Sequence, residues 1–325
     1  MATATTPLRS TSPPQFKGSR RPRLPPALAL IIYPITLVVG SIYSVVSPTA
    51  RHPRTFETAS PLTPSLASDL NLSTEPHPSP VNYFARKNNI FNLYFVKIGW
   101  VWITVTFLAL LLTQPTYTKA PSGLRSKRTA HALVRYSIVT AAWFLTTQWF
   151  FGPAVIDRTF VLTGGKCDNL PPVRASPDTW EELKVILTAA ACKAAGGAWK
   201  GGHDVSGHVF MLVLGSAFLV FEAVGASRCY LGAAAGADGK AKDDEGEEQT
   251  TIDDTTINPL PALALRFAWV VAGLSWWMLF MTAIFFHTWL EKLSGLVISL
   301  AVIYVTYLLP QSLLPWRNIV GIPGL

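Results

Sequence analysis

Six stretches of this chain, at roughly 24 to 46, 91 to 113, 132 to 151, 207 to 226, 262 to 286 and 294 to 314, run for about twenty residues almost without a charge. A helix rises about 1.5 Å per residue, so each is long enough to cross the roughly 30 Å hydrocarbon core of a bilayer. Backbone N–H and C=O groups in that core have to be satisfied within the chain, which helices do and open strands do not. The pattern predicts an all-α, polytopic membrane protein with about six transmembrane helices. A soluble core would not absorb so much apolar sequence: charged residues are 14%, against roughly 25% in ordinary soluble domains, and the mean hydropathy is +0.32.

The formal charge of +8 invites a nucleic-acid reading. The basic residues are instead spread over the segments between spans, so we expect no nucleic-acid partner. Three cysteines, Cys167, Cys192 and Cys229, form no CxxC pair and fit no structural zinc spacing.

Ahead of the first span, residues 1–23 are rich in Pro, Ser and basic groups and read as a disordered tail. The first apolar run exceeds the h-region of about 7 to 15 residues in a cleaved signal peptide, and no clean small-x-small site follows, so it reads as an uncleaved span. Arg20, Arg21 and Arg23 abut it, and Lys119, Arg125, Lys127 and Arg128 crowd the loop before the third span. Basic flanks stay cytoplasmic, which places both termini in the cytosol. The six-span domain is then 24–314, with lumenal loops at 47–90 and 152–206, an acidic cytosolic loop at 227–260, a tight turn near 287–293 and a cytosolic tail at 315–325. Within the second lumenal loop, SPDTWEELKVILTAAACKAAGG reads as an amphipathic helix, capped by Ser176, started by Pro177 and stopped at Gly196 and Gly197. Cys167 and Cys192 share that loop, where an oxidising compartment favours a disulfide, while Cys229 faces the reducing side. Asn71-Leu72-Ser73 is a glycosylation sequon in the first lumenal loop.

Parity locates the chemistry. GGHDVSGHVF (201–210) opens the fourth span and FFHTWLEK (285–292) closes the fifth. Whichever way the chain inserts, the start of one span and the end of the next lie on one side. His208 and His287 therefore converge at one membrane surface, the lumenal one in this orientation. Ionisable groups at membrane depth are costly and mark function. Ser206 or Asp204 caps the fourth span, whose free N–H groups and positive dipole end make an anion site within one turn of His208. Glu291, four residues past His287, shares its face if the helix persists, and then holds one ring nitrogen while the other serves as nucleophile or base. If the helix ends at Thr288, that coupling fails. His203, Asp204 and His208 suggest a metal, but six histidines, of which His52, His77 and His131 lie elsewhere, are too few for a diiron-type site. Ser206 as an intramembrane serine nucleophile is the other option, and Asp204 stands where such proteases prefer Gly. We expect neither metal nor cofactor.

The blocks NYFARKNNIFNLYFVKIGW, WFFGPAVIDRTFVLTGGKC, CKAAGGAWKGGHDVSGHVF and FFHTWLEKLSG resemble, in order, those of the fat storage-inducing transmembrane family. That family is similar to type-2 lipid phosphate phosphatases, in which the histidine of Ser-Gly-His protonates the leaving group and a second histidine attacks phosphorus. The resemblance implies His208 as the acid, His287 as nucleophile and Glu291 as its orienting carboxylate, with Ser206, Gly207 and Asp204 around the bound phosphate. The wider superfamily's Lys-x6-Arg-Pro block is absent, which leaves Arg158, Lys200 and Lys97 as candidates for the phosphate clamp. The implied function is that of an endoplasmic-reticulum hydrolase of fatty acyl-CoA or lipid phosphates that supports lipid droplet formation and phospholipid homeostasis. The alternative is a non-enzymatic binder of diacylglycerol or triacylglycerol that organises droplet budding.

Overall fold

The computed structural model describes residues 27–47, 82–148, 153–168, 185–240 and 259–324, with the backbone alone over 27–28 and 228–240. The tail 1–23, the sequon at Asn71, the first half of the expected amphipathic helix, the side chain of Cys229 and most of the acidic loop lie outside the described residues.

The helices are α1 (Ile32–Val46, entered through a 3-10 turn at Ala27–Ile31), α2 (Gly99–Thr113), α3 (Ser122–Thr147), α4 (Val155–Leu162), α5 (Ala189–Ala194), α6 (Gly207–Lys240), α7 (Leu260–Phe285), α8 (Trp289–Ile303) and α9 (Leu314–Val320). Two three-residue strands, β1 (Lys166–Asp168) and β2 (Ala198–Lys200), pair antiparallel with Cys167 opposite Trp199. The fold is all-α and polytopic, as expected.

Among the described residues, four segments are long and apolar enough to cross a membrane: Ala29–Val46, Gly207–Ser227, Leu260–Phe285 and Trp289–Ser312. The other two expected spans take different forms. Helix α2 is apolar but only 15 residues long, and a π-turn at Asn92–Val96 leads into it. Helix α3 begins at Ser122, ten residues before the apolar window, and carries Arg125, Lys127 and Arg128 in its first turns. Helix α6 likewise outruns its window, continuing to Lys240 into the expected acidic loop. Apolar runs measure what hydrocarbon tolerates, and a helix does not stop where the hydrocarbon does.

Helix α6 is the centre of the bundle. Apolar on every side, it packs against α2, α7 and α8, and Phe210, Val213, Leu214, Phe218 and Leu219 are fully buried. Where water gives no hydrophobic drive between helices, small residues let backbones approach. Gly295 of α8 does this at the site: a Cβ there would lie 2.7 Å from the Ser206 carbonyl oxygen and 3.2 Å from the Phe210 nitrogen.

The far end of α6 holds a buried ion pair. Arg135 Nε donates to Glu222 Oε1 at 2.6 Å and Nη2 to Oε2 at 2.9 Å, and Tyr307 and Tyr117 add hydroxyl donors at 2.8 and 3.3 Å. Arg135 Nη1 also donates to the Val320 carbonyl at 3.0 Å. Residues 315–325, expected as a tail, thus hold most of a docked helix, α9, with Val320 fully buried. Fourteen residues of helix put Glu222 about 21 Å from His208.

At the opposite end, α4, the two strands and α5 form a small cap. The Cys167–Cys192 disulfide is present. Phe160 of α4 stacks on Trp199 of β2 at 4.5 Å. The single amphipathic helix expected from Ser176 to Gly197 is instead interrupted: 185–187 are helical, Thr188 is extended (φ −134°, ψ 139°), and α5 restarts with the Thr188 side chain as its cap. A threonine whose oxygen accepts an N–H three residues on competes with helix continuation, and here it wins.

Candidate active site

The site is built where three helices end. Helix α7 stops at Phe285, Phe286 is extended, and His287 adopts φ +61°, the one non-glycine residue with positive φ among those described. Thr288 then caps α8 in a capping box: its hydroxyl accepts from Glu291 N, and Glu291 Oε2 accepts from Thr288 N at 3.0 Å. The same Oε2 meets His287 Nδ1 at 3.0 Å. By helical spacing alone, this pairing requires helix α7 to continue through Thr288. The helix ends earlier and the pairing forms regardless, because the capping box folds the carboxylate back over the turn.

Across from this turn, Ser206 caps α6. Its Oγ accepts from Val209 N at 3.3 Å, and its own N–H donates to the Glu291 carbonyl at 3.1 Å. Helix α8 is thereby tied to the start of α6 by backbone, across the contact that Gly295 permits. His208, in the first turn of α6, stands with its ring centroid 6.2 Å from that of His287, the planes tilted by 48°. The convergence expected from parity is present.

Both rings line a cavity of about 800 Å³, together with Asp204, Glu291 and Thr288. Its lining combines apolar side chains, Phe84, Met278, Met281, Phe285 and Phe286, with basic and amide ones, Lys87, Lys97, Lys193, Asn88, Asn89 and Asn92. Such a pocket suits an amphiphile with a phosphorylated head. Burial raises the Asp204 carboxyl above the usual carboxylate range; nearby His287 opposes the rise and Glu291 adds to it. Asp157 of α4 is raised too, by burial, against the lowering effect of the hydrogen bond it accepts from Ala189 N.

Of the sequence-derived candidates, His208, His287, Glu291, Asp204 and Lys97 meet at this cavity. Ser206 and Gly207 do not line it: Ser206 is fully buried and acts as the helix cap. Arg158 and Lys200 lie outside it as well; Arg158 Nε donates to the Pro153 carbonyl at 2.6 Å, and Lys200 is exposed on β2. His203 turns away, its Nε2 3.2 Å from Ser294 Oγ. Sequence reasoning missed Lys193 and the 84–92 stretch, whose apolar and amide residues carry no chemical signature of their own. A lysine directly following a paired cysteine was the one signal available for Lys193.

The family model for the fat storage-inducing transmembrane protein matches residues 80–307. That range takes in every residue lining the cavity. The chain belongs to this family. It is 33% identical over 230 residues to acyl-coenzyme A diphosphatase fit1 of Schizosaccharomyces pombe, covering 70% of this chain and 74% of that protein. Acyl-coenzyme A diphosphatase FITM2 of Drosophila melanogaster is 29% identical, over 71% of this chain and 52% of its own length. The Homo sapiens protein of the same name is 26% identical, over 73% and 76%. No solved structure matches.

Proposed function

We propose that this family member is a fatty acyl-CoA diphosphatase of the endoplasmic-reticulum membrane, a hydrolase of acid anhydrides that also accepts lipid phosphate monoesters and supports lipid droplet formation. The observation that carries the reading is the pair of histidines on one amphiphilic cavity, one of them with its Nδ1 held by a carboxylate. The names of the relatives point the same way.

In this reading the acyl chain lies along Met278, Met281 and Phe285, and the diphosphate meets the basic side chains of the lining, Lys97 among them. Glu291 fixes the His287 ring through Nδ1, leaving Nε2 to attack phosphorus. The N–P bond forms as the anhydride P–O bond breaks, and His208 gives a proton to the departing oxygen. Water then cleaves the phosphohistidine, returning its proton to His208, and two phosphate monoesters leave. Attack and departure are in line, so the two rings belong on opposite sides of the phosphoryl group. The termini are cytosolic and the histidines lumenal, following the basic flanks of the first and third spans.

Turnover of acyl-CoA and of an alkyl and an aryl phosphate by purified wild type, His208→Ala and His287→Ala tests this. His287→Ala should be inactive on all three. His208→Ala should lose about 100- to 10,000-fold on the alkyl phosphate, the usual worth of a general acid, and recover in part on the aryl phosphate, whose oxygen leaves without a proton. Wild-type rates in either variant would refute the two-histidine site, and no turnover by wild type, with lipid binding kept, would favour a lipid-binding protein that organises droplet budding.

A further inference from the structure

Lys193 reaches the cavity from the cap rather than from the helix bundle, and two constraints fix its position. Helix α5 carries it one residue after Cys192, so the Cys167–Cys192 disulfide anchors its backbone to β1. At the other end of α5, Asp157 Oδ1 accepts from Ala189 N at 3.2 Å, tying that end to α4. Gly197 packs directly on both sulfurs, where a Cβ would collide, so the chain turns back at once into β2. The helix is thus held at Ala189 and at Cys192, and the exposed cation directly after the second anchor lines the site.

The cavity's cations occupy different places. Lys87 and Lys97 come from the segment that leads into α2, on the bundle side, and line the cavity with the two histidines. Lys193 comes from α5 of the cap and lines the cavity with Asp204. A phosphate monoester offers anionic oxygen at one place only, next to the histidines. A nucleotide-linked diphosphate offers it on both sides of the scissile bond, and the group beyond the cut needs a second cation.

We propose that Lys193, held at the cavity by the Cys167–Cys192 disulfide and the Asp157-capped helix α5, is a substrate-binding residue that selects nucleotide-linked diphosphates over phosphate monoesters. The assignment rests on the hydrolase reading above. The disulfide acts as a positioning device for that lysine, which gives the oxidising compartment a part in substrate choice.

The test compares KM and kcat of the full-length protein in nanodiscs for a long-chain acyl-CoA and for lysophosphatidate. A charge-assisted hydrogen bond contributes about 1.5–3 kcal/mol, so Lys193→Gln should raise KM for acyl-CoA about 10- to 100-fold. Its kcat, and both constants for lysophosphatidate, should stay within about twofold. Lys193→Arg should restore acyl-CoA binding, and Cys167→Ser/Cys192→Ser should copy the glutamine variant. An unchanged acyl-CoA KM in Lys193→Gln, or the same rise on both substrates, overturns the proposal. Binding is read separately with an acyl-CoA whose bridging anhydride oxygen is a methylene: the same shift in Kd is expected in a His287→Ala background, and no shift overturns the proposal there too. Absence of turnover by wild type would defeat the hydrolase reading while leaving that binding result to decide the role of Lys193.

Discussion

Replacing Glu291 by glutamine keeps the shape of the site and removes one charge. In the structure Oε2 serves both His287 Nδ1 and Thr288 N, each at 3.0 Å. A glutamine oxygen in the same place still accepts from both, so the capping box and the ring's orientation survive. What disappears, in the mechanism proposed above, is the stabilisation of a positive imidazole during phosphoryl transfer. The two side chains are 23% and 21% exposed, enough burial for the charge to matter and too little for a dry-interior Coulomb value. The difference between a charged and a neutral hydrogen bond, about 1–2 kcal/mol, is the better guide. It predicts a fall in kcat of about 5- to 30-fold with KM nearly constant. The assay is steady-state release of phosphate monoester from acyl-CoA by purified protein, beside His287→Ala, which should fall by at least about 1,000-fold. Thr288→Ala is the control for the cap: it leaves the carboxylate charged and should cost about 1 kcal/mol of stability while sparing kcat. Wild-type activity in Glu291→Gln would remove the carboxylate from the mechanism. A loss as deep as that of His287→Ala would show that it takes part in bond making itself.

Three further outcomes follow from packing and charge. Gly295→Ala places a methyl 2.7 Å from the Ser206 carbonyl; it should destabilise the protein by about 1–3 kcal/mol and lower turnover with it, read by thermal unfolding in detergent and by activity. Glu222→Leu leaves Arg135 buried without its carboxylate and should cost about 3–5 kcal/mol, while the molecules that remain folded keep their kcat because the histidines lie about 21 Å away. Asp204→Asn should raise the thermal midpoint at neutral pH. The Asp204 carboxyl is raised by burial, so ionising it costs stability as pH climbs through and above the ordinary carboxylate range, and the gain should vanish below that range, where both states are protonated.

The bundle was legible from apolar length alone, because hydrocarbon imposes a single requirement on every span. The convergence of His208 and His287 was legible from parity, which depends on the number of crossings and on no side-chain detail. The ends of helices were not. Nothing in the residues 122–131 distinguishes a basic loop from the charged first turns of α3, since a helix emerging into water tolerates lysine and arginine as well as a loop does. The Glu291 contact was judged by helical spacing alone, although T-x-x-E at 288–291 carries the capping-box pattern that makes it. The clamp candidates Arg158 and Lys200 were drawn from the same loop as Lys193, and charge type alone did not separate them. Only the disulfide, the strand pair and the Asp157 cap decide which of those cations turns toward the cavity.

The sharp turn between α7 and α8 is what sets His287 against His208, and its backbone has a measurable signature. At φ +61° a Cβ-bearing residue is crowded against its own carbonyl, at a cost of about 1–2 kcal/mol that glycine does not bear. Comparing His287→Ala with His287→Gly isolates this cost, because both variants lack the ring and its bond to Glu291. At an ordinary helical position alanine is the more stable of the two by about 0.5–1 kcal/mol. At 287 the order should invert, glycine exceeding alanine by about 1 kcal/mol in thermal or denaturant unfolding of the full chain. If alanine equals or exceeds glycine, the turn in the membrane-embedded protein is not left-handed, and the ring of His287 is presented to the cavity by some other path. If glycine leads, the strain is held by the surrounding lock, in which the Ser206 N–H grips the Glu291 carbonyl and Gly295 lets α8 lie against α6. Gly295→Ala should then cost more in the His287→Gly background than in the wild type, since the turn no longer has strain whose release offsets the weakened lock.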